Sequence, residues 1–515
     1  MAQKDNKDPS ETSAAYDAMS PAWAKIEALL GGTEAMRAAG ELYLPRHERE
    51  TPHGYEARIN TTVLFNMTEQ TLDTLVGKPF RDGMRPEDVP STINSEGGDS
   101  IWDDVDLQGN DAEVFAKQVF REGLAKAFAH VLVDMPKPTP SADGGPRTVA
   151  DDRREKRRPY WVMLKPECVL YVRTEMRNGA EYPVHVRIAE TYNLPDGFGD
   201  VVKPRIRVLE PGLVEIWEPG KRRKGGKPVW EKTDEWATGF QEVPLLSFYA
   251  DRQDSCLGRP PLLGLANLNI AHWQSDSDQR HILRVARFPI LACSGATKDS
   301  NNPVVVGPNQ VLYNEDPQGK FYYVEHTGTA IEAGRTDLED LEKRMSSYGA
   351  EFLREKPGGE TATAKSIDTA ASTSQLSDIT DRFEDFLMQV LSMTARMLGD
   401  AEGKGGEVEL CKDYSAQEAD TVGLEALDKA RGKRDISRTA YLKGLMARNV
   451  LPEDFDPDKD GALLKDEVSE LMSLGGLDLN PGASPPEPEP PPPEPAPGTK
   501  GKTSPAPASR TRKTA

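Results

Sequence analysis

PLLGLANLNIAHWQSDSDQRHILRVARFPIL, residues Pro261–Leu291, is the stretch from which the fold is read. Pro260 and Pro261 suit a helix start, where a missing N–H and a fixed φ do no harm. Leu262, Leu265, Leu268 or Asn269, Trp273, His281 or Ile282 and Val285 then keep one face apolar until Pro289. A helix over 262–286 would be about 37 Å long at 1.5 Å per residue. Its centre, QSDSDQR (274–280), is unsuited to a dry core, because every buried polar group needs a partner. Apolar ends around a polar middle predict an element that crosses an open assembly, with Gln274, Asp276, Asp278 and Arg280 turned to water or to a neighbouring copy.

Outward toward the C-terminus, FPILAC, PVVVG, NQVLYN and KFYYVEH read as strands broken by turns. Leu338, Leu341, Met345, Tyr348 and Phe352 then recur at helical spacing with charges on the other face. REKPGGETATAKS follows, a loop of small, flexible and charged residues, and from Ser366 to Leu398 a long helix carries Leu376, Ile379, Phe383, Phe386 or Leu387, Val390 and Leu391. Beyond GDAEGKGG the segment 416–474 is predicted helical, and the Pro-dense end from 480 onward cannot build a packed core. Toward the N-terminus, alternating β-rich runs fill Tyr160 to Tyr249, with KRRKGGK (221–227) at a hairpin tip. Val114–Ala127 is predicted as a helix feeding the strand HVLVDM, and a single helix through Tyr55, Ile59, Val63, Phe65 and Leu72 is predicted to stop at Gly77. Residues 1–20 read as a mobile polar arm. The class is therefore α+β, mainly helical.

The 515 residues are long enough for about three domain-sized units. Lys plus Arg number 64 against 84 Asp plus Glu, a formal charge of −20, which argues against a protein coated in nucleic acid. It suits a passage that DNA slides through without being gripped. Four scattered cysteines, Cys168, Cys256, Cys293 and Cys411, fit reduced thiols better than a disulfide frame or zinc site. No apolar run approaches a membrane span, and no leader-like segment opens the chain, so a protein made in the cytoplasm, away from membranes, is expected. Phosphate-loop, dinucleotide, zinc-protease and nucleophile-elbow motifs are absent, so neither a cofactor nor an enzymatic role is expected.

One ligand pattern does match: Asp456, Asp458, Asp460, Gly461 and Glu467 satisfy D-x-D-x-D-G-x5-E, with Leu463 at the usual apolar position. Pro457 and the lack of a partner hand set a solvated acidic turn beside the calcium reading, and both stay open. The basic clusters 153–158, 221–227 and 510–513 are read as solvated loops or loose contacts for DNA or a partner.

Three segments in order carry a family likeness: YLPRHERE with YEARI and FN (Tyr43–Glu50, Tyr55–Ile59, Phe65 and Asn66), then Pro261–Leu291, then AEFLREKPGGETATAKSIDTAASTSQLSDI (Ala350–Ile379). Together they resemble a branch of tailed-bacteriophage portal proteins formerly filed as an uncharacterised domain family. The resemblance implies a ring, usually of twelve copies, at a capsid vertex of the virion, assembled in the host cytoplasm. It implies a wing at 21–260 with its β-rich part at 160–250, stem helices at 261–287 and 335–354, and a clip at 288–334. A tunnel loop at 355–365, a long wing helix at 366–400, a helical crown at 401–479 and a disordered Pro-rich tail with a basic tip at 480–515 complete the plan. Arg354, Lys356, Gly358, Gly359, Thr361 and Lys365 would line the DNA channel. Implied partners are double-stranded DNA, the terminase large subunit, a head–tail adaptor, and the major capsid and scaffolding proteins. Rival expectations are another phage structural protein, such as a minor capsid or head completion component, and a DNA-processing enzyme.

Overall fold

A computed structural model describes residues 8–95, 100–137, 157–177, 179–220, 229–287, 290–294, 318–324, 328–351, 374–400, 402–412, 414, 421–433, 435–446, 455–456, 459–461 and 463. Helices and antiparallel sheets are both present, as an α+β chain requires, in two compact units, 1–415 and 416–515. No described helix is long and apolar enough to cross a membrane.

The first unit starts on a helix where a mobile arm was expected. Helix α1 (Ala14–Leu30) is capped by Ser13, whose hydroxyl accepts from the Tyr16 amide at 3.0 Å. Pro21 lies inside it, a residue that ordinarily breaks helices and favours a start at that point. Burial decides otherwise: Met19 and Trp23 pack with Phe128, and the Trp23 indole donates to the Lys126 carbonyl at 3.1 Å. Helix α2 (Gly32–Ala39) follows.

The single helix expected to end at Gly77 is two, α3 (Pro52–Thr61) and α4 (Met67–Gly77). Val63 and Phe65, expected on the buried face, are 45% and 42% exposed in the break between them. The Thr61 and Thr62 hydroxyls bond back to the Arg58 carbonyl at 2.9 Å each, and Asn66 caps α4 by accepting from the Glu69 amide at 3.2 Å. Such side-chain bonds compete with helix propagation and close it at its end.

Helix α5 (Ala112–Lys126) runs into β2 (Phe128–Asp134), the central strand of a three-stranded antiparallel sheet ordered β3 (Tyr160–Leu164), β2, β9 (Leu245–Tyr249). A five-stranded meander lies between β3 and β9 in sequence: β4 (Val169–Arg177), β5 (Ala180–Asp196), β6 (Gly199–Glu210), β7 (Leu213–Pro219) and β8 (Trp230–Ala237). Pro219 pairs with Trp230, so KRRKGGK falls between paired strands, although 221–228 lie outside the described residues.

Helix α6 (Leu263–Ala286) and helix α7 (Thr329–Glu351) flank the antiparallel pair β12 (Ile290–Ser294) and β13 (Lys320–Val324). Helix α7 begins six residues earlier than the expected 335, inside the stretch assigned to strands. Gly334 weakens the helical signal there, but the Ile331 carbonyl is fixed by the Gln279 side chain at 2.8 Å.

Helix α8 (Gln375–Met397) buries Leu376, Ile379, Phe383, Phe386, Leu387, Val390 and Leu391 in the main core. Phe383 lies at its centre, with ring centroids 5.0 Å from Phe120, 4.8 Å from Phe248 and 5.8 Å from Phe386. Residues 401–414, expected in the crown, belong to the first unit: β14 (Glu407–Glu409) pairs with β1 (Arg85–Glu87), and Tyr414 is buried with its hydroxyl 2.7 Å from that of Thr380. In the second unit, α9 (Thr421–Gly432) and α10 (Arg438–Met446) carry the predicted helical character.

Candidate functional site

The polar middle of α6 finds its partners inside the chain. Contacts across α6 and α7 show the two helices to be antiparallel: Tyr348 hydroxyl to the Pro261 carbonyl at 3.4 Å, His272 Nε2 to Glu342 at 3.4 Å, Ser275 hydroxyl to Asp337 at 2.7 Å, and Gln279 to the Ile331 carbonyl. Two glycines allow the close approach. A methyl on Gly334 would lie 2.2 Å from the Gln279 amide oxygen, and one on Gly264 would lie 2.6 Å from the Tyr348 hydroxyl.

The opposite side of α6 meets the segment around YLPRHERE and α3. Arg58, 3% exposed, is the hub. Its guanidinium donates to both Glu50 carboxylate oxygens at 2.8 Å, to the Pro45 carbonyl at 2.8 Å and to the Ser277 hydroxyl at 3.3 Å, and lies 3.8 Å from Asp278. The Tyr55 ring covers it, its centroid 5.4 Å away. A planar fork with five donors is suited to such a set of acceptors. The Arg58 hydrogen bonds hold the Glu50 carboxyl at about 2, against 4.5 ordinarily, and the same contacts push the guanidinium up.

Ser277, 1% exposed, also accepts from Thr62 at 3.0 Å; Gln274 donates to the Tyr43 carbonyl at 2.9 Å; Asp278 is 3.2 Å from His47 Nε2. One turn earlier, fully buried Asn269 reads the break between α3 and α4. Its oxygen accepts from the Thr68 amide at 3.0 Å and hydroxyl at 2.9 Å, and its NH2 donates to the Phe65 carbonyl at 2.8 Å. The Phe65 ring lies 5.3 Å from that of His272.

Of the four residues expected to face open water or a neighbouring copy, Gln274 is therefore turned to Tyr43. Asp276 and Arg280 pair with each other at 2.6 Å, with the Arg280 side chain 49% exposed. Asp278 divides its carboxylate between His47 and solvent, with its side chain 52% exposed. The middle of the helix is polar for a local reason: it binds the N-terminal segment. Arg58, Glu50, His47, Asn269 and Ser277 were not singled out from sequence as site residues. The available signal was a polar residue on an otherwise apolar face, Arg58 beside Ile59 and Asn269 beside Leu268.

A second charged cluster lies between α1, α5 and the turn before β4. The ammonium of fully buried Lys126 is 2.7 Å from Glu27, 2.7 Å from Glu122 and 2.5 Å from Glu167, and Lys165 reaches Glu27 at 2.8 Å. Burial opposes ionisation of Glu27, but hydrogen bonds from Lys126 and Lys165 outweigh it and hold that carboxyl at about 2. These three glutamates could bind a metal by spacing alone. The ammonium stands where the ion would, so the cluster is a satisfied charge network.

Arg354, Lys356, Gly358, Gly359, Thr361 and Lys365 lie outside the described residues, as do Asp458 and Glu467 of the calcium pattern. Asp460 pairs with Arg438 at 2.5 Å, and Asp456 with Lys459 at 3.7 Å, so the two described carboxylates of that pattern each face a cation. In the first basic cluster, Arg158 bonds Asp104 at 3.0 Å.

A family model described as a domain of unknown function, DUF4055, matches residues 261–398, the block from the start of α6 to the end of α8. No curated protein matches the chain. Among solved structures, it is similar to a chain from the neck of an empty gene transfer agent particle. Identity there is 12% and the TM-score 0.35, covering 78% of this chain and 90% of that one. For a chain from the neck of the native particle computed with C12 symmetry, identity is 12% and the TM-score 0.33, covering 73% and 88%.

Proposed function

We propose that the chain is a portal subunit, one copy of a dodecameric ring at a capsid vertex through which double-stranded DNA is packaged, retained and ejected. The observation that carries this reading is the antiparallel pair α6 and α7, closed at one end by β12 and β13 and followed by α8. The Arg58 and Asn269 contacts supply what a projecting helix pair needs, a rigid base that fixes its direction. In this reading the pair is the stem, 288–328 the clip that meets the terminase large subunit and later a head–tail adaptor, 355–365 the tunnel loop, and α8 the long wing helix. Capsid and scaffolding proteins surround the ring. The net charge of −20 suits a bore that repels DNA weakly, with Arg354, Lys356 and Lys365 as its few phosphate contacts.

The test is a double substitution, Lys356→Ala with Lys365→Ala. Packaged DNA per particle is expected to fall while ring assembly is unchanged. Wild-type packaging and retention in that variant would contradict the channel role.

A further inference from the structure

The strands β5 and β6 run far past their neighbours. Strand β4 pairs with β5 only as far as Ile188, and β7 pairs with β6 only from Ile206, so Ala189–Arg205 is a two-stranded ribbon. Such ribbons are marginal in water on their own. The tip is also apolar: Phe198 is fully exposed, Val202 is 60% exposed, and Leu194 and Val201 face each other across the ribbon at 36% and 42%. The same chain carries an apolar cleft of about 500 Å³ beside the opposite end of β6, lined by Leu132, Leu209, Val214, Trp236, Phe240 and Met397. From Asp200 to Leu209 the strand rises about 30 Å at 3.3 Å per residue, so a tip cannot fill its own cleft.

We infer that the ribbon tip of one copy inserts Phe198 into the cleft of the next copy, forming a head-to-tail latch between identical chains. Charge supports this occupant. Asp196 and Asp200 flank Phe198, whereas Arg157 and Arg396 stand at the cleft. The acids at the cleft are engaged within the chain: Asp134 with Arg207 at 2.5 Å, Glu210 with His185 at 2.8 Å and Glu242 with Arg396 at 2.7 Å. A knob and a socket on different parts of one surface make a heterologous contact, which closes into a ring when the rotation permits. A single tip buries less than the roughly 1,200 Å² of a stable interface. The latch therefore rests on the ring reading for its remaining contact area.

The test uses the full chain with Phe198→Cys and Gly239→Cys, under mild oxidation. Gly239 lines the cleft, and a side chain there meets nothing within 4 Å. A reducible ladder extending beyond the dimer, absent from wild type and from either single variant, is the expected result. A covalent dimer from Phe198→Cys alone would mean tip-to-tip pairing and overturn the latch. No ladder from a preparation whose rings are intact in negative stain would overturn the latch and leave the ring standing. No ladder and no rings, in the variant or in wild type, would remove both.

Discussion

Helices α6 and α8 are nearly the same length, 24 and 23 residues, yet they are held in place by different physics. Helix α8 presents an apolar stripe at helical spacing to a cluster of aromatic rings, and its position follows from the area that stripe removes from water. Helix α6 is apolar at its first turns, where Leu265 and Ala266 are buried, and along its middle it is placed by hydrogen bonds from Arg58, Thr62, Thr68 and Gln274. Apolar packing is strong and tolerant of direction, whereas bonds to particular carbonyls and hydroxyls fix register and angle. A core helix can rely on the first; an element that must point one way needs the second.

That contrast makes ordered predictions. Phe383→Ala on α8 should cost about 4 kcal/mol, the typical loss for a large aromatic deleted from a packed core, and lower the denaturant midpoint of the whole first unit. A loss under about 1 kcal/mol would mean α8 is not central to the core. Arg58→Met should cost about 3 kcal/mol, because Glu50 and Ser277 lose their shared donor in a buried setting. The damage should be local: faster amide exchange along α6 and α7, with α8 protected as before. Equal loosening of α8 would erase the distinction between the two helices.

The smallest effect is in acid. Because the folded carboxyl of Glu50 titrates at about 2 rather than 4.5, its contribution is complete above pH 4.5 and is lost as pH falls from there toward 2. Unfolding followed by exchange in α6 should show this acid slope in wild type and lack it in Arg58→Met. The same slope in both would place the acid-sensitive group elsewhere, with Glu27 beside Lys126 the first candidate.

Legibility in the sequence followed the same divide. Helix α8 was readable because an apolar period survives in one dimension, as were α5, β2 and the meander, whose strands alternate over sharp turns. The order of helix, strands, helix and long helix was readable for the same reason. The partner of QSDSDQR was not, since Arg58 and Ser277 are 219 residues apart and nothing local in either stretch names the other. Pro21 and Gly334 misplaced the starts of α1 and α7, because their propensity penalties were outweighed by burial and by one side-chain bond. The break at 62–66 was hidden by Val63 and Phe65, which fit a buried helical face in sequence but are exposed in the fold.

The claim that joins these features is that the polar-stitched helix pair is the stem of a ring. Negative-stain microscopy and mass photometry of the purified full chain test it most directly. The account predicts closed rings with a central hole and the mass of a dodecamer of the 56.7 kDa chain. A population of monomers, or of compact trimers without a hole, would contradict it.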